Sequence, residues 1–246
     1  MKHYQHVMLM LLAVVCTAAP LTAQTGEGAS GPALPGGESA RRGYVGADLG
    51  YRTGLGGELH LSLLNLAPNL PLGVHTQFGL YYVFDPGDAA KAHETFQGNE
   101  TNATLDSKKG RNIVAALDLS YRFLRTDGFE VSALVGPRYD HFQGTYTFPN
   151  EAFDVTSHTW GVGAGGMLEL FSAPRVRVRL FAGADYYFRT KLSGHGSSYT
   201  PDGVDDDPAD GFDYEDADKA VRQPRFVPRV AIGVHFLVLH APWTSR

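Results

Sequence analysis

The sequence predicts an all-β chain, an eight-stranded antiparallel up-and-down transmembrane β-barrel after an N-terminal signal peptide. Three observations predict it. Apolar and polar residues alternate with a period of two in eight separate stretches, and no helical stretch of comparable strength stands beside them. The connections between the stretches sort by parity into short turn-formers and long polar runs. Aromatic residues on the apolar parity gather toward the two ends of the stretches and leave the middles aliphatic.

Residues 1–23 read as a cleaved export signal: a basic start at Lys2, an apolar run from Val7 to Ala19 and the small-residue exit Leu21-Thr22-Ala23. The run is too short to span a bilayer. A lipoprotein signal ending at Cys16 is the rival reading, and the bulk of Val15 speaks against it. Cys16 is the only cysteine, so the exported chain is expected to have neither disulfides nor cysteine-based metal or nucleophile chemistry. Residues 24–42 form a Gly/Pro/Ser-rich leader without periodicity. The barrel domain is expected over 43–240, with a short C-terminal tail at 241–246.

The strands follow in order at 44–52, 57–64, 72–84, 111–124, 129–142, 157–171, 176–189 and 226–239, the first two marginal in length for a tilted crossing. Short turns follow the second, fourth and sixth (NLAPNLP, RTDG, SAPR). Long polar loops follow the third, fifth and seventh, at about 85–110, 143–156 and 190–225; the short TGLG after the first is the exception. This is the layout of turns at one membrane face and loops at the other.

Size decides which face is outside. An eight-stranded barrel has room only for its own side chains, and the polar parity carries the glycines, among them Gly46, Gly73, Gly163 and Gly233. The apolar parity carries Leu59, Leu61, Phe78, Leu117, Leu119, Leu180 and Ile232. Bulk therefore faces lipid. On that same parity Tyr51, Tyr82, Phe84, Tyr139, Trp160, Tyr186 and Phe188 form a belt at the loop end, and Tyr121, Phe123, Phe129 and Phe236 one at the turn end. In the seventh strand Val176, Val178, Leu180, Ala182 and Ala184 face lipid, while Arg177, Arg179, Asp185 and Arg189 point inward.

The interior set holds both signs: Asp48, Glu58, Asp118, Arg122, Glu130, Arg138, Asp140, Glu169, Arg177, Arg179, Asp185 and Arg229, with His60, His75 and His235. Across RTDG, Arg122 is expected beside Glu130; across SAPR, Glu169 beside Arg177 or Arg179. Charges in so narrow an interior must pair or keep water, so a salt-bridge plug is the preferred reading and an ion or proton path the alternative. His60 and Ser62 share the inward parity, and His141 and His158 the outward one. Neither pair points to catalysis, and Asn99 and Asn102 head glycosylation sequons that read as chance matches.

The net charge of −5 conceals a local −7 at 199–224, where nine acids stand against two bases; the rest is near neutral, which speaks against nucleic-acid binding. Asp202, Asp205, Asp206, Asp207, Asp210, Asp213 and Glu215 are candidate oxygen ligands for weak Ca²⁺ binding. Reading from Asp206, Pro208 occupies a ligand position and no glutamate closes the loop, so a solvated acidic loop is preferred. No other cofactor is expected.

With this architecture residues 43–239 resemble the small eight-stranded outer-membrane proteins of Gram-negative bacteria, of the OmpA transmembrane-domain and OmpX type. Gly233, Phe236 and Val238 are similar to the terminal-strand signal of that class. Ala231 stands where it usually has a polar residue, and eight residues follow Val238. The resemblance implies export to the cell outer membrane, contact with its lipid and lipopolysaccharide, insertion by the outer-membrane assembly machinery and a monomeric state. A peptidoglycan-binding domain of the kind that follows the OmpA barrel is not expected here. The expected role is structural or binding at the cell envelope, not enzymatic; a narrow porin-like channel is the alternative, and a lipid A-modifying enzyme the third.

Overall fold

The structure is a computed structural model, and it describes residues 40–242 apart from 68–69, 99–104, 174, 204–208 and 210. The signal peptide, nearly all of the leader, both sequons and Asp205, Asp206, Asp207 and Asp210 therefore lie outside the described residues. Eight long strands carry the barrel: β1 (Ala40–Tyr51), β2 (Leu55–Leu64), β3 (Leu72–Val83), β4 (Ser107–Arg125), β5 (Phe129–Phe148), β6 (Glu151–Ala173), β7 (Val176–Tyr187) and β10 (Phe226–Pro242). The hairpin β8 (Leu192–Gly194) and β9 (Ser197–Tyr199) and the helices α1 (Ala89–Gln97) and α2 (Tyr214–Ala220) complete it. The strand order β5-β4-β3-β2-β1-β10-β7-β6 closes through a further β5–β6 pairing, and every neighbouring pair in this ring is antiparallel. β1 begins at Ala40 and β10 runs to Pro242, so the sheet takes in residues read as leader and tail.

The facing follows the period of two. Leu49, Leu59, Leu61, Phe78, Leu117, Leu119, Leu180 and Ile232 lie exposed on the outer wall, and Tyr82, Phe84, Trp160, Tyr186 and Phe188 at its loop end, with Tyr121, Phe123 and Phe236 at its turn end. An apolar wall with aromatic rims is the surface that a bilayer covers. Among the described residues no helix is long and apolar enough to cross a membrane, which says nothing of a barrel.

One of the expected loops needs correction. Residues 143–156 are not a long polar loop: β5, 20 residues long, and β6, 23 residues long, run on as a ladder to Phe148↔Glu151 around a turn at Pro149 and Asn150. The alternation there is polar-out, with Gln143, Thr145 and Thr147 outward and Phe142, Tyr146, Phe148, Phe153 and Val155 inward and buried. Above the lipid, the outer wall meets water and the inner face meets an apolar core, so the same parity carries inverted polarity.

The loops at 85–110 and 190–225 contain the two helices and the β8–β9 hairpin. Asp88 caps α1 by accepting from the Ala90 and Lys91 N–H groups, and Gly98 ends it with a left-handed φ of 71°. Asp213 and Asp216 form a reciprocal capping box on α2. Ala89, Ala92 and Phe96 from α1, and Tyr214, Ala217 and Ala220 from α2, pack with Phe142, Tyr146, Phe148, Phe153, Val155, Leu192 and Tyr199 into one buried cluster. The loop end of the barrel thus carries a folded cap with its own core.

Candidate functional site

The interior is built in layers, each set by cross-strand register. At the turn end Glu130 and Glu169 stand opposite each other on β5 and β6. Arg177 Nη1 bridges them, 2.6 Å from Glu169 Oε2 and 3.1 Å from Glu130 Oε1, while Arg122 Nη1 lies 3.9 Å from Glu130 Oε2. Register pairs Glu169 with Arg179, yet the contact goes to Arg177. The Arg177 guanidinium also lies over the Tyr44 ring, 4.2 Å from its centroid.

The next layer holds Asp48, Arg179 and three histidines. Arg179 Nη1 is 3.1 Å and His60 Nδ1 3.6 Å from Asp48 Oδ2. His75 lies between two hydroxyls, Ser62 Oγ at 2.6 Å and Ser120 Oγ at 2.9 Å. Above it, Arg138 joins Asp118 at 2.7 Å to Asp185 at 2.8 Å, and Arg229 reaches Asp185 at 3.2 Å and Glu58 at 3.7 Å. Gly163 makes this crossing fit: a Cβ there would lie 2.1 Å from Asp185 Oδ1 and 2.4 Å from Arg138 Nε. Asp140 closes the column at the loop end, accepting from Asn112 Nδ2 at 2.9 Å.

The charges of the interior network, Asp48 through Arg229, lie inside the barrel; Arg122 is the most open of them, at the turn-end rim. Arg189 does not. It follows the end of β7, is partly exposed, and pairs with Glu215 of α2 at 2.7 Å. Sequence reasoning missed Arg52, which is buried and reaches Asp185 Oδ2 at 2.6 Å and the Tyr187 hydroxyl. Its signal was present, since Asp48, Gly50 and Arg52 share one parity; it stood at the edge of a turn. The interior is also not wholly polar, because Leu134, Met167 and Phe181 form a small buried apolar cluster.

Ser62 and His60 face inward and are buried, and on the outer wall His141 stacks on His158 with ring centroids 4.3 Å apart. Of the acidic loop, Asp202 lies exposed, while Asp213 caps α2, Glu215 holds Arg189, and Asp218 lies 3.8 Å from Arg225. Gly233 packs against Asp48, while Phe236 and Val238 are exposed on the outer wall.

No protein-family model and no curated protein matches the chain. Among solved structures it is similar to a major outer membrane protein from Thermus thermophilus, at 26% identity and a TM-score of 0.62, over 80% of this chain and 98% of that one. It is more loosely similar to Ail, the attachment invasion locus protein of Yersinia pestis, at 11% identity and a TM-score of 0.43, over 81% of this chain and 99% of that one. The N-terminal β-barrel domain of Pseudomonas aeruginosa OprF gives 12% identity and a TM-score of 0.39, over 82% of this chain and 98% of that domain. The Thermus likeness and the closed ring of eight strands give the chain the fold of the small outer-membrane barrels.

Proposed function

We propose that this chain, an outer-membrane β-barrel protein, is a closed scaffold that presents a folded cap outside the membrane, with a structural or binding role at the cell envelope. One observation carries the reading: buried ion pairs run from Arg177 at the turn end to Asp140 at the loop end, beneath the apolar core of the cap. Each pair occupies cross-section in a barrel that has little to spare, and moving one arginine out of it strands a carboxylate at a cost of several kcal/mol. The cap residues Arg189, Arg222 and Arg225, with Asp218 and Tyr214, line a cleft that a soluble partner could reach.

The same reading makes the protein a monomer in contact with outer-membrane lipid and lipopolysaccharide, inserted by the assembly machinery through Gly233, Phe236 and Val238. It is not an enzyme on this reading, because His60 and Ser62 address the interior and His158 is engaged by the Tyr139 hydroxyl at 2.6 Å. A second reading, a narrow channel, is favoured by interior polar atoms without a hydrogen-bond partner, among them Gln77 Nε2, Arg138 Nη2 and Asp140 Oδ1. A file of water would satisfy them. Planar-bilayer recording of the refolded protein separates the two. A current at baseline supports the closed scaffold; steady, ion-selective openings replace it with the channel.

A further inference from the structure

We infer that Asp48, His60 and His235 form a buried binding site for a divalent transition-metal cation of the zinc class, inside the barrel wall at the level of Gly46. The three come from adjacent strands β1, β2 and β10. Gly46 is the register partner of both His60 and His235, so the two imidazoles flank a residue without a side chain and close over it, their centroids 4.0 Å apart. A Cβ on Gly46 would lie 2.4 Å from His60 Nε2 and 2.8 Å from His235 Cδ2. Any other residue would fill the place where the rings meet.

One ligand atom from each residue lies within 4.8 Å of the other two, and Asp48 Oδ2 to His60 Nδ1 is 3.6 Å. Bonds of about 2.0–2.1 Å in a tetrahedron place ligand atoms roughly 3.3–3.5 Å apart, so side-chain rotation of about 1 Å closes the set. Two imidazoles and one carboxylate with a fourth position left over suit zinc or its neighbours and do not suit Ca²⁺, which takes oxygen. The site is therefore separate from the acidic loop.

The hydrogen bonding points to a ligand. His60 is 3% exposed, and neither of its ring nitrogens has a hydrogen-bond partner; His235 Nε2 and both Asp48 carboxylate oxygens are in the same condition. Buried polar groups left this way call for an ion or water. His75 provides the contrast within the same barrel: equally buried, it has a serine hydroxyl on each nitrogen. That is how a histidine with only a packing role is satisfied. His235 Nδ1 is likewise without a hydrogen bond, and Glu169 Oε1 lies 2.6 Å from it, a carboxylate placed where metal-bound imidazoles keep their outer partner once the ring turns to present Nε2 to the metal.

The charge inside also favours a cation. Among the described residues of the interior seven carboxylates are buried, Asp48, Glu58, Asp118, Glu130, Asp140, Glu169 and Asp185, against five arginines, with Arg122 at the rim as a sixth. Arg179, which answers Asp48, makes no hydrogen bond through any of its three nitrogens. It lies 5.6 Å from the Phe181 ring centroid, a resting place that does not depend on Asp48.

The test uses the untagged, metal-stripped mature chain, residues 24–246, refolded in micelles, with His141→Ala and His158→Ala introduced to remove the stacked pair on the outer wall. Titration calorimetry with Zn²⁺, and Co²⁺ absorption, should give one equivalent bound. His60→Gln or His235→Gln should weaken it by more than about 100-fold, and Glu169→Gln by about 10–100-fold as an outer-shell partner. Because a buried variant can fail to fold, the protein with intact interior is also observed by NMR with Co²⁺, where the Gly46 and Gly233 amides should show the largest paramagnetic shifts. No binding in the His141/His158 variant, equal affinity in folded His60→Gln, or unmoved Gly46 and Gly233 amides overturns the inference.

Discussion

Arg177 is the residue on which the turn-end layer depends, because two carboxylates face each other across β5 and β6 and it holds both. Glu169→Leu leaves Arg177 with Glu130. Arg177→Leu leaves two buried carboxylates facing each other without the guanidinium between them, Glu130 with Arg122 at 3.9 Å and Glu169 with the His235 imidazole. We expect Arg177→Leu to cost about 3–5 kcal/mol, the range for breaking a buried pair, and Glu169→Leu clearly less. Denaturant refolding titrations in lipid measure both, and equal costs would mean that the bridge is not shared. On the outer wall, Leu117 and Leu180 are 49% and 38% exposed in mid-strand. Leu117→Arg or Leu180→Arg should cost roughly 2–4 kcal/mol in the same titration; near-zero cost would place that face in water.

At the scale of elements, the cap is held to the barrel by Asp85, which accepts from Lys108 of β4 at 2.7 Å and from Arg222 beyond α2. The Lys108 hydrogen bond holds the Asp85 carboxyl below the usual carboxylate range, and burial opposes it. A carboxyl depressed in the folded state contributes stability above its unfolded value, about 3.9, and loses it as pH falls through the folded one. Burial pushes Asp218 the other way, so its cost is present at neutral pH and disappears on acidification. The two oppose each other, and Asp85→Asn removes only the first. Hydrogen-exchange protection of α1 should therefore be lower in Asp85→Asn at pH 7 and should lack the wild type's Asp85-linked loss below about pH 4. The neighbouring acidic loop has its own test. Millimolar Ca²⁺ should slow protease nicking within 199–224 no more than NaCl of equal ionic strength if the loop is merely solvated, and selectively if it binds calcium.

For the whole molecule, closure matters more than any single pair. β1 and β10 join the two ends of the chain along twelve register pairs, from Ala40↔Pro242 to Tyr51↔Val230, so no barrel strand is left with an open edge. The ion pairs inside this ring lie where mobile ions do not screen them, whereas Arg222 and Lys219 in the cap are open to solvent. Raising NaCl from about 0.1 to 1 M should then leave the unfolding midpoint of the barrel nearly unchanged while lowering hydrogen-exchange protection in α2. A midpoint that falls steeply with salt would mean a solvent-filled interior and would support the channel reading.

The strands, their facing and the interior charges were legible in the sequence, because a period of two is a local property that survives without knowledge of partners. Val176 through Tyr187 need only their own alternation to be sorted into wall and interior. The helix caps Asp88 and Asp213 and the apolar spacing Ala89, Ala92, Phe96 were equally local, and the long polar runs around them hid those signals. Tertiary structure alone decided three things. It turned 143–156 into strand, because what a face means depends on whether lipid or water lies outside it. It brought Arg52 to Asp185, 133 positions away. And it gathered Asp48, His60 and His235, which share nothing in the sequence but inward parity, around Gly46. Alternation says which way a side chain points; the closed ring decides what it meets, because closure makes neighbours of strands from opposite ends of the chain.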